Sequence, residues 1–553
     1  MTISREKIGL ILFGIFLILA WTSSDHYPPW TAFHSDAIAF AAIIIYICVA
    51  GVAPGIRLEV IFLLMIAAVP LAQYCLGIIY FKGDAFIAFG YLAGLALAFH
   101  AGSRVTDKNS AFVAISVSLV VMALISGGVA LGQWLSIGSE YISIMPVKAG
   151  RIYGNFAQPN QFATMMGVAL VISFGLREKG IIGEFAFLLF LLFSIFCLAL
   201  SESRAGMLQI ALMVVLLAGL KSCKKLTASW ALVLAPLMAL ILFLYAAPLI
   251  HKLLLLSDGA ARDYISPGVR WIHWENAVRA ISLSPLVGFG WNQTAVALAQ
   301  TVNMGSATGE LIEHSHNILL DIFLWNGIPL GLVIIFSLGI WVFSSWRQAD
   351  SISDFLILAS FLMVGLHSML EFPLEYAYVL IPMGFLLGLV SRSSDFWGAL
   401  ISSRLIFFVY ALGVALFCIV LRDYYYAEDR FRDLRLDSAK IGPPPKLDSD
   451  RPLVLLSQLE NFLRFSQVQA TPEMSASDIK WMRKVSERYG YPPVLFRYAL
   501  AAGLNNGYKS AESALQRICQ TQSETMCEEA RVNWSSMEKK YPELANVKLP
   551  YRR

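Results

Sequence analysis

Glu313-His314-Ser315-His316-Asn317 stands at the edge of an apolar run, residues 317–344, and closes a polar stretch that opens near Ser257. The stretch carries His273, His314 and His316 together with Arg262, Arg270 and Arg279. A polar segment this rich, pinned between apolar runs, is where chemistry is expected. Outward from it the sequence is mostly apolar: of 553 residues 57% are hydrophobic and 14% charged. Soluble domains carry about 25% charged residues, so the chain reads as an all-α polytopic membrane protein.

The apolar runs near 8–21, 37–51, 58–79, 84–101, 111–133, 161–176, 181–200, 205–220, 228–248, 317–344, 354–370, 374–391 and 401–421 predict about 13 transmembrane helices. A helix needs roughly 17–25 apolar residues to cross a hydrocarbon core. The first run is expected to be an uncleaved anchor, since no small-residue cleavage site precedes Asp25 and many further spans follow. With the N-terminus inside, the inner connections hold Arg57; Arg104 and Lys108; Arg177 and Lys179; Lys221, Lys224 and Lys225; Arg347; and Arg392 with Arg404. Lys82 and Lys148 are the outer exceptions to this positive-inside pattern. The histidine-bearing loop (249–316) and the tail then face outward, away from the cytoplasm.

Two regions follow: a transmembrane body, 1–421, and a tail, 422–553. The tail holds 21 Lys/Arg and 17 Asp/Glu, nearly half of all the charges. Pro443-Pro-Pro445 marks an extended break in it. Helices are expected over Pro452–Ser466, Ser477–Tyr489, Pro492–Leu504, Tyr508–Thr521 and Glu524–Lys540. The pair around Tyr498, Ala499, Ala502 and Ala511, Ala514, Leu515 has tetratricopeptide-like character, though one pair is too few to make an array. Cys519 and Cys527 share the tail and suit a disulfide in an oxidising compartment. The net charge of +4 is too weak to imply nucleic acid.

Four outer segments supply candidate site residues. Arg151-Ile-Tyr-Gly-Asn155 leads into Gln158-Pro159-Asn160-Gln161, where Pro159 suits the first turn of a helix. The free N–H groups and dipole of such a start attract anions, so Arg151, Gln158 and Asn160 read as contacts for phosphate or sugar hydroxyls, with an ordinary capped helix entry as the alternative. Ser203-Arg204 is a tight turn between apolar helices; Arg204 either snorkels to the interface or grips a phosphate from a cavity. After Pro267-Gly268, Trp271, Trp274, Val278 and Ile281 recur at helical spacing and predict an amphipathic helix on the membrane surface, with Arg270 and His273 on another stripe. His367, Glu371, Glu375 and Tyr376 ring a short outer turn, of which Tyr376 is the candidate. His314 and His316, even with Glu310 or Glu313, specify no metal-ligand set; no metal and no other cofactor are expected. An imidazole with an ordinary pKa of about 6.5 serves better as a base or an acceptor-orienting partner.

His316-Asn317, nine residues, then Gly327-Ile-Pro329 resembles the ligase motif of the bacterial O-antigen ligase/polymerase superfamily, departing at the last position, where Leu330 stands and Gly331 comes one place late. Ser203-Arg204-Ala-Gly, Gly268-Val-Arg270-x-x-x-Trp274 and Pro285-x-x-Gly288-Phe-Gly290 are similar to other signatures of that superfamily. Gly154-Asn155-x-x-Gln158-Pro159-Asn160 and His367-Ser-x-x-Glu371-x-Pro373-Leu-Glu375-Tyr376 look like its PglL-type, protein-glycosylating branch.

The resemblance implies a GT-C-like membrane glycosyltransferase of the bacterial inner membrane with a periplasmic site. It would take an undecaprenyl-diphosphate-linked oligosaccharide and move the glycan to a hydroxyl of a pilin-like protein by one inverting displacement. Arg204 and Arg270 would hold the diphosphate, His316 would orient or deprotonate the acceptor with His314 in support, and Gln158 and Tyr376 would position sugar or hydroxyl groups. Ligation to lipid A–core, repeat-unit polymerisation and, more remotely, transport are the alternatives. A transporter would carry internal repeats and charged or broken helices near the midplane, and neither stands out in the sequence.

Overall fold

The computed structural model describes residues 4–51, 55–137, 151–254, 269–301, 304, 306–393, 403–441 and 451–550. Lys148, Arg262, Pro267-Gly268 and Pro443–Pro445 lie outside them. The helices run in chain order α1 (Arg5–Thr22), α2 (Phe33–Ala50), α3 (Leu58–Cys75), α4 (Lys82–Ser103), α5 (Lys108–Trp134), α6 (Pro159–Glu178), α7 (Glu184–Leu200), α8 (Arg204–Ser222), α9 (Trp230–Leu253) and α10 (Arg270–Leu283). They continue with α11 (Thr294–Gln300), α12 (Ile318–Gln348), α13 (Ile352–Ser368), α14 (Ala377–Val390) and α15 (Ser403–Ser438). The last five are α16 (Ser457–Gln467), α17 (Ala476–Arg488), α18 (Pro492–Leu504), α19 (Tyr508–Thr521) and α20 (Glu524–Lys540).

Among the described residues no strand occurs, and each of the apolar runs is a helix. Among the described residues nine helices are long and apolar enough to cross a membrane, and α7, α13 and α14 are shorter apolar helices. The protein is therefore a multi-pass, all-helical membrane protein. α15 runs on past residue 421 to Ser438, because no Gly or Pro interrupts 422–438. The first tail helix starts at Ser457 rather than Pro452; the preceding residues are held off the helix by Asp423, whose carboxylate accepts the N–H groups of Leu455 and Leu456.

The chain divides into two compact units. Unit 1 comprises Met1–Met65, Tyr91–Ser266 and Gly339–Ala415. Its core is built around α6, of which 94% of the apolar window is buried, as expected of a helix that is apolar all round. That burial places Asn160, Gln161 and Thr164, at its first turns, inside the unit.

Unit 2 comprises Ile66–Gly90, Pro267–Leu338 and Leu416–Arg553. Ala277, Ala280, Phe289, Ala297, Leu324 and Trp325 form a small core joining α10, α11 and the start of α12. A second core takes in α17 to α20, with Ala499, Ala502, Ala511 and Ala514 buried. Cys519 and Cys527 are disulfide-bonded between α19 and α20.

Candidate functional site

In unit 2, α12 is two helices joined at Gly327, whose φ of 73° and ψ of 172° lie outside the helical range. The break frees the carbonyls of Leu324 and Trp325. Phe289 and Gly290 fill the gap, their N–H groups donating to those oxygens at 2.8 and 3.0 Å, while Ile328 donates to Pro285 at 2.7 Å. The two backbones touch at Gly288 and Gly327: a Cβ on Gly327 would lie 2.4 Å from the Leu286 carbonyl, and one on Gly288 2.6 Å from the Gly327 nitrogen. Pro285-x-x-Gly288-Phe-Gly290 and Asn326-Gly327-Ile-Pro329 are thus two halves of one interlock.

The interlock fixes the upper segment of α12, and the histidine turn sits on that segment. Asn317 caps it, its side-chain oxygen accepting from Leu319 at 3.0 Å and Leu320 at 3.4 Å. Asp321, 2% exposed, accepts the Ser315 N–H at 3.0 and 3.2 Å on its two oxygens and the Thr294 hydroxyl at 3.2 Å. Held from both sides, His316 takes a left-handed backbone (φ 58°). Such a conformation costs a non-glycine residue about 1–3 kcal/mol and is found where surroundings over-determine it, often at functional sites.

His316 stacks on His273, with ring centroids 5.7 Å apart and planes 27° from parallel. His273, on the inward face of α10, is 1% exposed and its Nε2 lies 3.7 Å from a Glu310 carboxylate oxygen. Burial pushes its pKa down, His316 adds to the effect, and Glu310 opposes it. Burial also pushes His314 down to about 3, aided by His316 and Arg488. The His314 imidazole is therefore neutral at ordinary pH. Behind His273 lies a cavity of about 40 Å³, bordered by Asn276, Thr308, Glu310 and Arg517, with room for water. α10 turns Trp271 and Val278 outward, 68% and 55% exposed. That is the expected amphipathic helix, with the apolar side out. Arg270 is its first residue, and Val269 offers no capping side chain.

Unit 1 gathers a second set. Gln158 caps α6 by accepting the Gln161 N–H at 2.8 Å. The Asn160 carboxamide is engaged at both ends: Ser203 donates to it at 2.7 Å and it donates to Glu371 at 3.1 Å. Ser203 also caps α8 through the Gly206 N–H, which puts Arg204 at the first position of that helix. Arg151 donates to the Ser201 carbonyl at 3.1 Å, so the loop before α6 and the turn before α8 are tied together. Gln133 pins that loop, accepting from Tyr153 and Gly154 and donating to the Gly154 carbonyl. Thr164 bonds His367 at 2.8 Å and Gln209 at 3.0 Å. Tyr376 stacks on Tyr378 at 5.1 Å. Gln158, Asn160, Arg151 and Arg204 are brought together here, while in unit 2 His316 stacks on His273, three residues along α10 from Arg270.

Residues 189–336 match the family described as O-Antigen ligase. Over that segment the chain is similar to O-antigen ligases. Residues 152–174 match a protein glycosylation ligase segment, and residues 355–522 match the C-terminal part of a virulence factor membrane-bound polymerase. The ligase match spans Arg204, Arg270, His316 and Gly327; the glycosylation-ligase segment spans Gln158 and Asn160. The chain is 26% identical over 528 residues to a general O-oligosaccharyltransferase of Acinetobacter baylyi, covering 92% of this chain and 91% of that protein. It is 29% identical over 336 residues to a ComP-specific O-oligosaccharyltransferase of the same organism, covering 58% of this chain and 59% of that one.

Three members of this geometry carry no local signal of their role in the sequence. Asp321 was hidden inside an apolar run, although an acid there is costly unless bonded. His273 is a helix neighbour of Arg270 by spacing, and its stacking on His316 is set by the fold alone. The contact between Gly288 and Gly327 joins segments that no local pattern relates.

Proposed function

We propose that this protein transfers a preassembled oligosaccharide from an undecaprenyl-diphosphate carrier to a serine or threonine hydroxyl of a pilin-like protein, outside the bacterial inner membrane. The observation that carries the reading is the place of its two arginines. Arg204 and Arg270 each stand first in a helix, where the dipole disfavours a cation and attracts an anion. An arginine kept there offers planar, charge-assisted bonds to phosphate oxygens. In this reading each holds negative charge of the donor headgroup, and fixed charge of that kind stabilises a departing diphosphate. Arg151, Gln158, Asn160 and Tyr376 serve the donor's polar groups, with Asn160 acting through Ser203 and Glu371.

The step is a direct displacement. The acceptor hydroxyl oxygen bonds to the anomeric carbon, the carbon–oxygen bond to the diphosphate breaks with its electron pair, and His316 takes the hydroxyl proton. His314 supports the turn. The names of the relatives favour a protein acceptor, and the disulfide of Cys519 and Cys527 favours an oxidising compartment. The transmembrane body, 1–421, and periplasmic tail, 422–553, are proposed on the same orientation.

The ligase and polymerase matches favour a second reading, with lipid A–core or a growing glycan as acceptor. One experiment separates them. Wild type and His316→Ala are expressed with a lipid-linked glycan pathway and a candidate pilin, and the pilin's intact mass is measured. Gain of a whole oligosaccharide in wild type and its loss in the variant are expected. Bare pilin with extended lipopolysaccharide would establish the second reading; full transfer by His316→Ala would remove His316 from its role.

A further inference from the structure

The segment that leads into the histidine turn is laid along the C-terminal helices of unit 2. The N–H groups of Thr308 and Gly309 both donate to the Gln520 carbonyl at 2.9 Å. Leu311 fits against Gly490, where a Cβ would come within 2.9 Å of its Cδ1. Arg517, 4% exposed, spends its guanidinium on the carbonyls of Ser486, Glu487 and Ala295, fastening α17 and α19 to the start of α11. Arg488, at the end of α17, lies across the ring of Tyr489. Its Nε is 3.2 Å from Asp84 and its Nη1 3.6 Å from Glu313, one residue before His314.

We propose that the C-terminal helices are the bed on which the histidine turn is held, with Arg488 a positioning residue that ties Glu313 to Asp84. Asp84 is 2% exposed and the Arg488 side chain 14%, so that pair is the buried anchor, while Glu313 at 51% is the arm reaching the turn. A half-exposed ion pair contributes little to global stability, yet it fixes a direction. Small misplacements of a reacting group cost rate steeply, about a hundredfold for an ångström. The tail in this view serves catalysis and does not act as a separate acceptor-binding appendage.

The inference rests on the transfer reading only for its rate readout. The test uses the full chain in lipid nanodiscs and two measurements. Deuterium exchange of the peptide spanning 310–317 needs neither donor nor acceptor. Transfer kinetics use a lipid-linked oligosaccharide and pilin. Glu313→Gln removes the arm from the loop side without touching the buried pair, and should raise exchange at 315–316 and lower kcat about tenfold at unchanged KM. Arg488→Ala should do at least as much, and Arg488→Lys should recover most of the loss. Wild-type exchange and kcat in Glu313→Gln would overturn the proposal, as would a raised acceptor KM with kcat intact. If Arg488→Ala loosens all of 451–550, Glu313→Gln decides alone. If wild type transfers nothing, the transfer reading falls, and the exchange result still judges the coupling.

Discussion

Replacing Gly327 with alanine tests the interlock on which the histidine turn stands. Two costs arise together. The φ of 73° with ψ of 172° is a region essentially reserved for glycine, and another residue held there is strained by about 1–3 kcal/mol. The new Cβ would also meet the Leu286 carbonyl carbon and oxygen at 2.4 Å and the Val287 nitrogen at 2.7 Å. These are backbone atoms, which cannot swing aside as a side chain does, and forced overpacking costs about 1–3 kcal/mol. A local destabilisation of about 3 kcal/mol is a conservative sum of the two. Since about 1.4 kcal/mol is a factor of ten, the Phe289 and Gly290 amides should exchange about a hundredfold faster. The reporters are those two amides, because they donate to Leu324 and Trp325 across the kink. Transfer activity should fall with them. Gly331→Ala is the control: the atoms nearest its Cβ all belong to Phe323, two ring carbons at 2.6 and 3.0 Å and the Cα at 3.4 Å. A ring can turn, and alanine favours helix over glycine by about 1 kcal/mol, so a near-neutral outcome is expected. Unchanged exchange and full activity in Gly327→Ala would refute the interlock.

Asp321→Ala should leave the fold intact but strand the Ser315 N–H and the Thr294 hydroxyl, at about 1–3 kcal/mol. Faster exchange at Ser315 and a sharp loss of transfer are the expected readings. His314 gives a pH signature. Unfolded, it binds a proton near its ordinary 6.5, and folded only at about 3. Between those values the unfolded chain holds more protons, so stability rises with pH through the window and is fully present above about 6.5. One group contributes at most about 1.4 kcal/mol per pH unit. Thermal unfolding of wild type and His314→Gln at pH 5 and pH 7 should show a shallower slope in the variant, and equal slopes would dismiss the effect.

How much of this was legible in the letters depended on where each residue's partner lay. Apolar runs need only their own length to declare a membrane helix, and every such run is a helix. Pro159 and Ser203 mark helix starts through neighbours two or three residues away, and both stand where expected. α15 runs past residue 421 into the charged stretch, because charge alone does not break a helix. The remaining failures share one cause. Asp321, Gln133, Thr164 and Gln209 are polar residues inside apolar helices, each costly to bury without a partner. Their partners are Ser315 and Thr294, the 153–154 backbone, His367, and the Met363 carbonyl. All but Ser315 are distant in sequence. Such a residue declares that a bond exists and leaves its other end unnamed. Gly288 and Gly327 show the same limit for backbone: each glycine forecasts a tight approach, and only the fold reveals that they approach each other.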